Sequence, residues 1–157
     1  MTTNASPDQE LVITRLLDAP RELVYACWTE PEHLARWGGC PEGLNVDVEF
    51  QDIRVDGMFR VRMRSPHGID CRLQGMYREL VKPEKVVFTH AWVLEDGSLA
   101  PETLVTITLK PAEKGTEKTE LTLRQTGLRS QASRDGHREG WESTLDRLAD
   151  YLFRPTA

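Results

Sequence analysis

The stretch WTEPEHLARWGGCPEG, residues 28–43, holds two tryptophans, a histidine, a cysteine and three glycines. Cys40 and His33 could serve as nucleophile and base, or as metal ligands. A reactive thiol needs its pKa lowered by a neighbouring base or a helix N-terminus. Cys40 stands beside Pro41, after an expected helix end, and nothing in the sequence supplies either aid. A free cysteine is more often a small hydrophobe. His33, His67, His90 and His137 are scattered, with no HxxxH and no Cys–His pair at ligand spacing. Zinc sites show paired ligands, so no metal is expected. His67 falls in a turn and His137 near a helix start, and both are expected at the surface.

His90 differs. In VVFTHAW it alternates in phase with Val86, Phe88 and Trp92, so it shares their face of a strand. Two readings stand. It is a core histidine satisfied by a carbonyl or a water, or a donor that orients a ligand in an apolar cavity. Glu79, Tyr77 and His90 are the only acid–base candidates. They form no carboxylate pair or triad, so the residues define no catalytic set. Arg60, Arg62 and Arg64 make a basic row, but Asp70 on the next strand offsets it. A solvated sheet face is expected there, not a phosphate site. The four tryptophans, Trp28, Trp37, Trp92 and Trp141, suit either plain core or an aromatic-lined pocket.

The elements that must position these residues follow from period and punctuation. LVITRLL (11–17) reads as a strand. Asp18 and Pro20 then suit the cap and first turn of a helix. Its residues Leu23, Val24, Cys27 and Trp28 share one face. Thr29-Glu30-Pro31-Glu32 has the form of a capping box. It would start a second short helix through Leu34, Ala35 and Trp37, stopped by Gly38 and Gly39. The segment then reads as a structural clip, with Trp37 packing toward the long helix or a cavity mouth. From residue 44 the period becomes two. Strands are expected over 44–53, 58–64, 69–80, 86–94, 103–111 and 119–127, separated by turns at 54–57, 65–68, 82–85, 95–102 and 112–118. On them Phe59, Val61 and Met63 face one way, as do Ile69, Cys71, Leu73, Gly75 and Tyr77. Helical spacing returns in Trp141, Leu145, Leu148 and Leu152, widened by Thr144 and Ala149. A helix over about 131–153, capped by Ser130 or Ser133, would be roughly 34 Å long. A curved antiparallel sheet gripping that helix is the economical α+β packing.

Composition excludes several classes. A chain of 157 residues reads as one domain, 11–155, behind a loose tail over 1–10. Its charge of -5 argues against nucleic acid as a partner, since phosphate binding needs concentrated positive charge. No apolar run suits membrane insertion, and the N-terminus shows no signal-peptide pattern. A cytoplasmic location follows as an expectation. Three cysteines without a CxxC fit reduced thiols better than a disulfide framework.

The order of elements resembles the START-like, or Bet v 1-like (SRPBCC), helix-grip fold. More narrowly, DAPRELVYACWTEPEHLARWGG, VDGMFRVRM, QGMYRELVKPEKVVFTHAW, TLVTITL, TELTLRQTG and GWESTLDRLADYL resemble the Activator of Hsp90 ATPase homologue (Aha1 C-terminal-domain-like) family. Where that family often shows W-W-G-P, this chain has Trp37-Gly38-Gly39-Cys40-Pro41. An aromatic missing near the mouth implies a larger or more open cavity. The resemblance implies six to seven strands and a ligand cavity between sheet and C-terminal helix. With the alternation above, the expected lining is Trp28, Trp37, Phe59, Val61, Leu73, Tyr77, Phe88, His90, Trp92, Val105, Ile107, Trp141, Leu145 and Leu148. The leading expectation is a protein that binds a small apolar molecule, with no cofactor, as monomer or homodimer. A cyclase- or hydrolase-like enzyme using the same cavity is the alternative. An Hsp90-type chaperone partner is implied by the family. The eukaryotic activators owe much of that contact to a separate N-terminal domain, for which residues before 11 leave no room.

Overall fold

A computed structural model describes residues 10–37, 43–112 and 117–153. Strand β1 (Glu10–Leu17) leads into helices α1 (Arg21–Thr29) and α2 (Pro31–Trp37). Strands β2 (Asn45–Gln51), β3 (Met58–Arg64), β4 (Asp70–Val81), β5 (Lys85–Val93), β6 (Thr103–Pro111) and β7 (Thr119–Thr126) follow, then helix α3 (Gln131–Phe153). The strands form one antiparallel sheet in the order β1-β7-β6-β5-β4-β3-β2. Strands β2 to β7 are thus a meander, and β1 returns to pair with β7. The expected helix-grip architecture is what the chain adopts.

The alternation of each strand decides which side chains are buried. On β6 and β7, Val105, Ile107, Leu109, Leu121 and Leu123 are buried, facing Leu145 and Leu148 of α3 and Val24 and Cys27 of α1 in one cluster. A second, smaller cluster around Met63 and Leu73 lies on β3 and β4. The sheet bends between them. At Gly75 an added Cβ would stand 2.0 Å from the Thr89 carbonyl oxygen and 2.5 Å from Phe59 Cζ, so only glycine lets β4 and β5 approach there. The register between β4 and β5 shifts just after, between Tyr77 and Glu79.

Several local expectations need correction. Asp18 does not cap α1; Pro20 holds that position, without a side-chain cap. Its fixed φ suits a helix entrance without one. Leu23 lies on the exposed side of α1, while Tyr25 and Ala26 are buried with Val24, Cys27 and Trp28. The capping box does not form. Thr29 is the last residue of α1, and its hydroxyl donates to the Tyr25 carbonyl at 3.0 Å. The carbonyl of Glu30 instead receives the first amides of α2, from His33 at 3.1 Å and Leu34 at 3.0 Å. Strand β2 ends at Gln51 rather than 53. Ser130, not Ser133, caps α3, its Oγ accepting from the Ser133 amide at 3.0 Å. Gly38, Gly39 and Cys40, the turn at 113–116 and the tail over 1–9 lie outside the described residues.

The arginine row is the solvated face expected. Arg62 makes two hydrogen bonds to Asp70, at 2.8 and 2.7 Å, which hold the Asp70 carboxyl below the usual range. Arg64 pairs with Asp47, Arg72 with Glu49, and Arg60 donates to Gln74. No helix among the described residues is long and apolar enough to cross a membrane.

Candidate functional site

The C-terminal half of α3 carries large apolar side chains, while its N-terminal half carries small ones on the same face. Counting back from Trp141 and Thr144 in steps of three and four reaches Gly140, His137, Gly136, Ser133 and Ala132. The helix therefore stands off the sheet there. The gap is an open cavity of about 310 Å³, closed on the sheet side by Met63, Leu73, His90 and Trp92. That volume lies at the lower end of the range for small-molecule sites. At Gly136 an added Cβ would meet nothing within 4 Å, and the residue is exposed, so it stands at the mouth.

Aromatic and imidazole rings dominate the walls. The His90 ring centroid lies 5.4 Å from that of Trp92, 5.7 Å from His137 and 5.7 Å from Trp141. His90 is 5% exposed. Burial, and then the neighbouring His137, push its pKa down to about 3, against a weaker pull from its own main chain. It is therefore a neutral imidazole near neutral pH, able to donate once and accept once.

His137 was expected at the surface but is half-buried and faces the cavity, because it lies one turn before Trp141 on the same face of α3. Its Nδ1 lies 2.8 Å from the Ser133 carbonyl, which can only accept, so Nδ1 carries the proton. Its Nε2 can then accept from the indole N–H of Trp92, at 3.4 Å. Trp141 is held from the other side: its indole N–H donates to Gln125 Oε1 at 2.8 Å.

The sequence-expected lining divides by position. Leu73, His90, Trp92 and Trp141 line this cavity. Trp28, Phe59, Val61, Tyr77 and Phe88, again with Leu73 and Trp141, line a smaller adjoining chamber. Trp37, Val105, Ile107, Leu145 and Leu148 are packed in the main core. Met63, Ala132, Ser133, Gly136, His137, Gly140 and Thr144 were not anticipated. The signal for Met63 was its phase with Phe59 and Val61 on β3, and for the α3 residues it was the backward continuation of the stripe.

The acid–base candidates do not converge. Tyr77 is buried, whereas Glu79 pairs with Lys85 at 3.2 Å on a half-exposed stretch of β4. Among the described residues, no group of three His, Cys, Asp or Glu side chains could hold a metal ion. Burial, helped by Glu30, pushes the Cys27 thiol up to about 12, and burial raises Cys71 as well. Neither is a thiolate near neutral pH.

A seven-stranded antiparallel sheet wrapped on a long C-terminal helix, with two short helices after the first strand, defines the helix-grip class. Within it, residues 18–153 match the family described as Activator of Hsp90 ATPase homolog 1-like protein, and the chain belongs to that family. A crystal structure of a Chromobacterium violaceum protein is 29% identical, with a TM-score of 0.80 over 94% of this chain and 99% of that one. The AHSA1 protein of Silicibacter pomeroyi is 26% identical, with a TM-score of 0.80 over 91% of this chain and 96% of its own. A solution structure from Arthrobacter aurescens, 24% identical, shares the fold with a TM-score of 0.82 over 95% of this chain and 88% of that one. No functionally curated protein matches the chain.

Proposed function

We propose that this protein binds a small, largely apolar molecule in the cavity between β3–β5 and the N-terminal half of α3. The observation that carries the reading is the run of small residues on α3 opposite a buried, neutral His90. A glycine inside a helix costs roughly 0.5–1 kcal/mol relative to alanine. At Gly136 an alanine would fit without contact. Stability alone therefore favours filling this position, and the open mouth has its use in admitting a ligand. The lining is apolar and aromatic with a few polar groups, the usual composition of such sites.

The neutral dye N-phenyl-1-naphthylamine tests this. Saturable binding, read as dye fluorescence and as quenching of tryptophan emission, is expected for the parent. Gly136→Phe should abolish it by closing the mouth, while Gly136→Ala should raise stability by about 0.5–1 kcal/mol. A parent protein that shows no saturable binding overturns the reading.

A further inference from the structure

The smaller chamber gives that reading a ligand class, and the inference made from it rests on that reading. It measures about 60 Å³, is lined by Trp28, Gln51 and Tyr77 among others, and shares Leu73 and Trp141 with the larger cavity. Gln51 Nε2 donates to the Thr29 carbonyl at 2.8 Å and to the Tyr77 hydroxyl at 2.8 Å. The Thr29 carbonyl can only accept, so the atom facing it must be the amide nitrogen. That settles the orientation of the amide and, among the described residues, leaves Gln51 Oε1 buried without a partner. The indole Nε1–H of Trp28 is likewise buried without a partner among the described residues. Trp28 itself is 6% exposed. Unpaired buried polar atoms are rare in folded proteins because each forfeits its hydrogen bond to water.

Two residues lining the chamber thus carry an unused acceptor, Gln51 Oε1, and an unused donor, Trp28 Nε1–H. Its described lining carries no ionised side chain. A carboxylate would bring an uncompensated charge into it and could only accept. An ammonium could only donate. A hydroxyl does both and is neutral. At about 60 Å³ the chamber has room for a water-sized group, so a hydroxymethyl group fits.

We propose that the chamber seats the terminal hydroxyl of an apolar ligand whose body fills the larger cavity. Gln51 Oε1 accepts from that hydroxyl, and Trp28 Nε1 donates to it. The body passes between the shared walls, Leu73 and Trp141.

Octan-1-ol and octanoate at pH 7.5 are the probes, added to the full ¹⁵N-labelled chain. The indole resonance of Trp28 is assigned by its loss in Trp28→Phe. Octan-1-ol should bind saturably, shift that resonance, and bind at least tenfold more tightly than octanoate. Gln51→Met should weaken octan-1-ol about fivefold to tenfold, the worth of one buried hydrogen bond. The same variant should bind N-phenyl-1-naphthylamine within about twofold of the parent, which also shows that it is folded. If octanoate binds as well as octan-1-ol, or the Trp28 resonance does not move, the hydroxyl seat is wrong. If Gln51→Met leaves octan-1-ol unaffected, the chamber holds water only. In each case the dye still reports on the larger cavity, so the proposed function stands or falls separately. Should a folded Gln51→Met variant not be obtained, the comparison of the two probes on the parent decides the matter.

Discussion

The indole N–H of Trp141 on α3 donates to Gln125 Oε1 on β7 at 2.8 Å, and the amide of Gln125 passes the link onward. Its Nε2 donates to Thr103 Oγ1 at 2.8 Å, and that hydroxyl donates to the main-chain carbonyl of His90 at 3.1 Å. A buried polar chain therefore runs from the long helix across β7 and β6 to β5. It joins the indole of Trp141 to the main chain of His90, whose ring lies 5.7 Å from that indole in the cavity wall. Satisfied networks of this kind hold their members in one geometry.

Gln125→Leu keeps the shape of that side chain and removes both bonds. The Trp141 indole N–H then stays buried without an acceptor, which costs about 1–3 kcal/mol. Urea unfolding should show that loss. Dye affinity should fall as well, because Trp141 is freed to tilt. Unchanged stability would mean that the chain is incidental.

Trp37 fastens α2 to α1 in a way the sequence explains. The carbonyl of Cys27 would accept an amide four residues on, but that residue is Pro31, which has none. The indole N–H of Trp37 takes its place, at 2.7 Å, with the ring 1% exposed and edge-on to Trp28 at 4.9 Å between centroids. Trp37→Ala should cost about 3–5 kcal/mol, as for a buried aromatic. Trp37→Phe should cost about 1–3 kcal/mol, since it leaves that carbonyl unpaired. Equal losses in the two variants would remove the hydrogen bond from the account.

Thr29 separates the capping box from the bond observed. An N-cap would lose about 1 kcal/mol in Thr29→Val and Thr29→Ala alike. In the structure the hydroxyl only adds a second donor to the Tyr25 carbonyl, within a buried turn. Thr29→Val should therefore stay within about 0.5 kcal/mol of the parent, while Thr29→Ala loses about 1 kcal/mol with its buried methyl. Equal losses in thermal unfolding would restore the cap.

The strands, the long helix and the inward face of His90 were legible because a period of two or of 3.6 repeats over many residues. What failed was local. Thr29 and Glu32 matched a capping pattern, yet Pro31 shifted the junction by one residue and made the Glu30 carbonyl the acceptor. The small residues Ser133, Gly136 and Gly140 carry no apolar signal of their own, although they lie on the same face and line the space. Gln51 and Gln125 could not be found by pattern. Each is polar at a strand position, and only the fold shows that one meets the end of α1 and the other Trp141.

His90 makes the stability of the whole protein depend on pH. Its folded pKa is lowered from 6.5 to about 3, chiefly by burial and then by His137, the titratable group facing it from α3. Above pH 6.5 neither the folded nor the unfolded chain carries a proton on this ring, and the group contributes no pH dependence. Between the two values the unfolded chain binds a proton that the folded chain does not. Stability therefore falls as the pH falls, by about 1.4 kcal/mol per pH unit from this group. From pH 7.5 to pH 5.0 the loss should reach about 2 kcal/mol. The carboxylates contribute to the same titration, so the parent is compared with His90→Gln, which has the same carboxylates and no ionisable ring at this position. Urea unfolding at the two pH values should show the parent losing about 2 kcal/mol more than the variant. If both lose the same amount, the imidazole is not held neutral by burial, and the cavity wall is wetter than the structure shows.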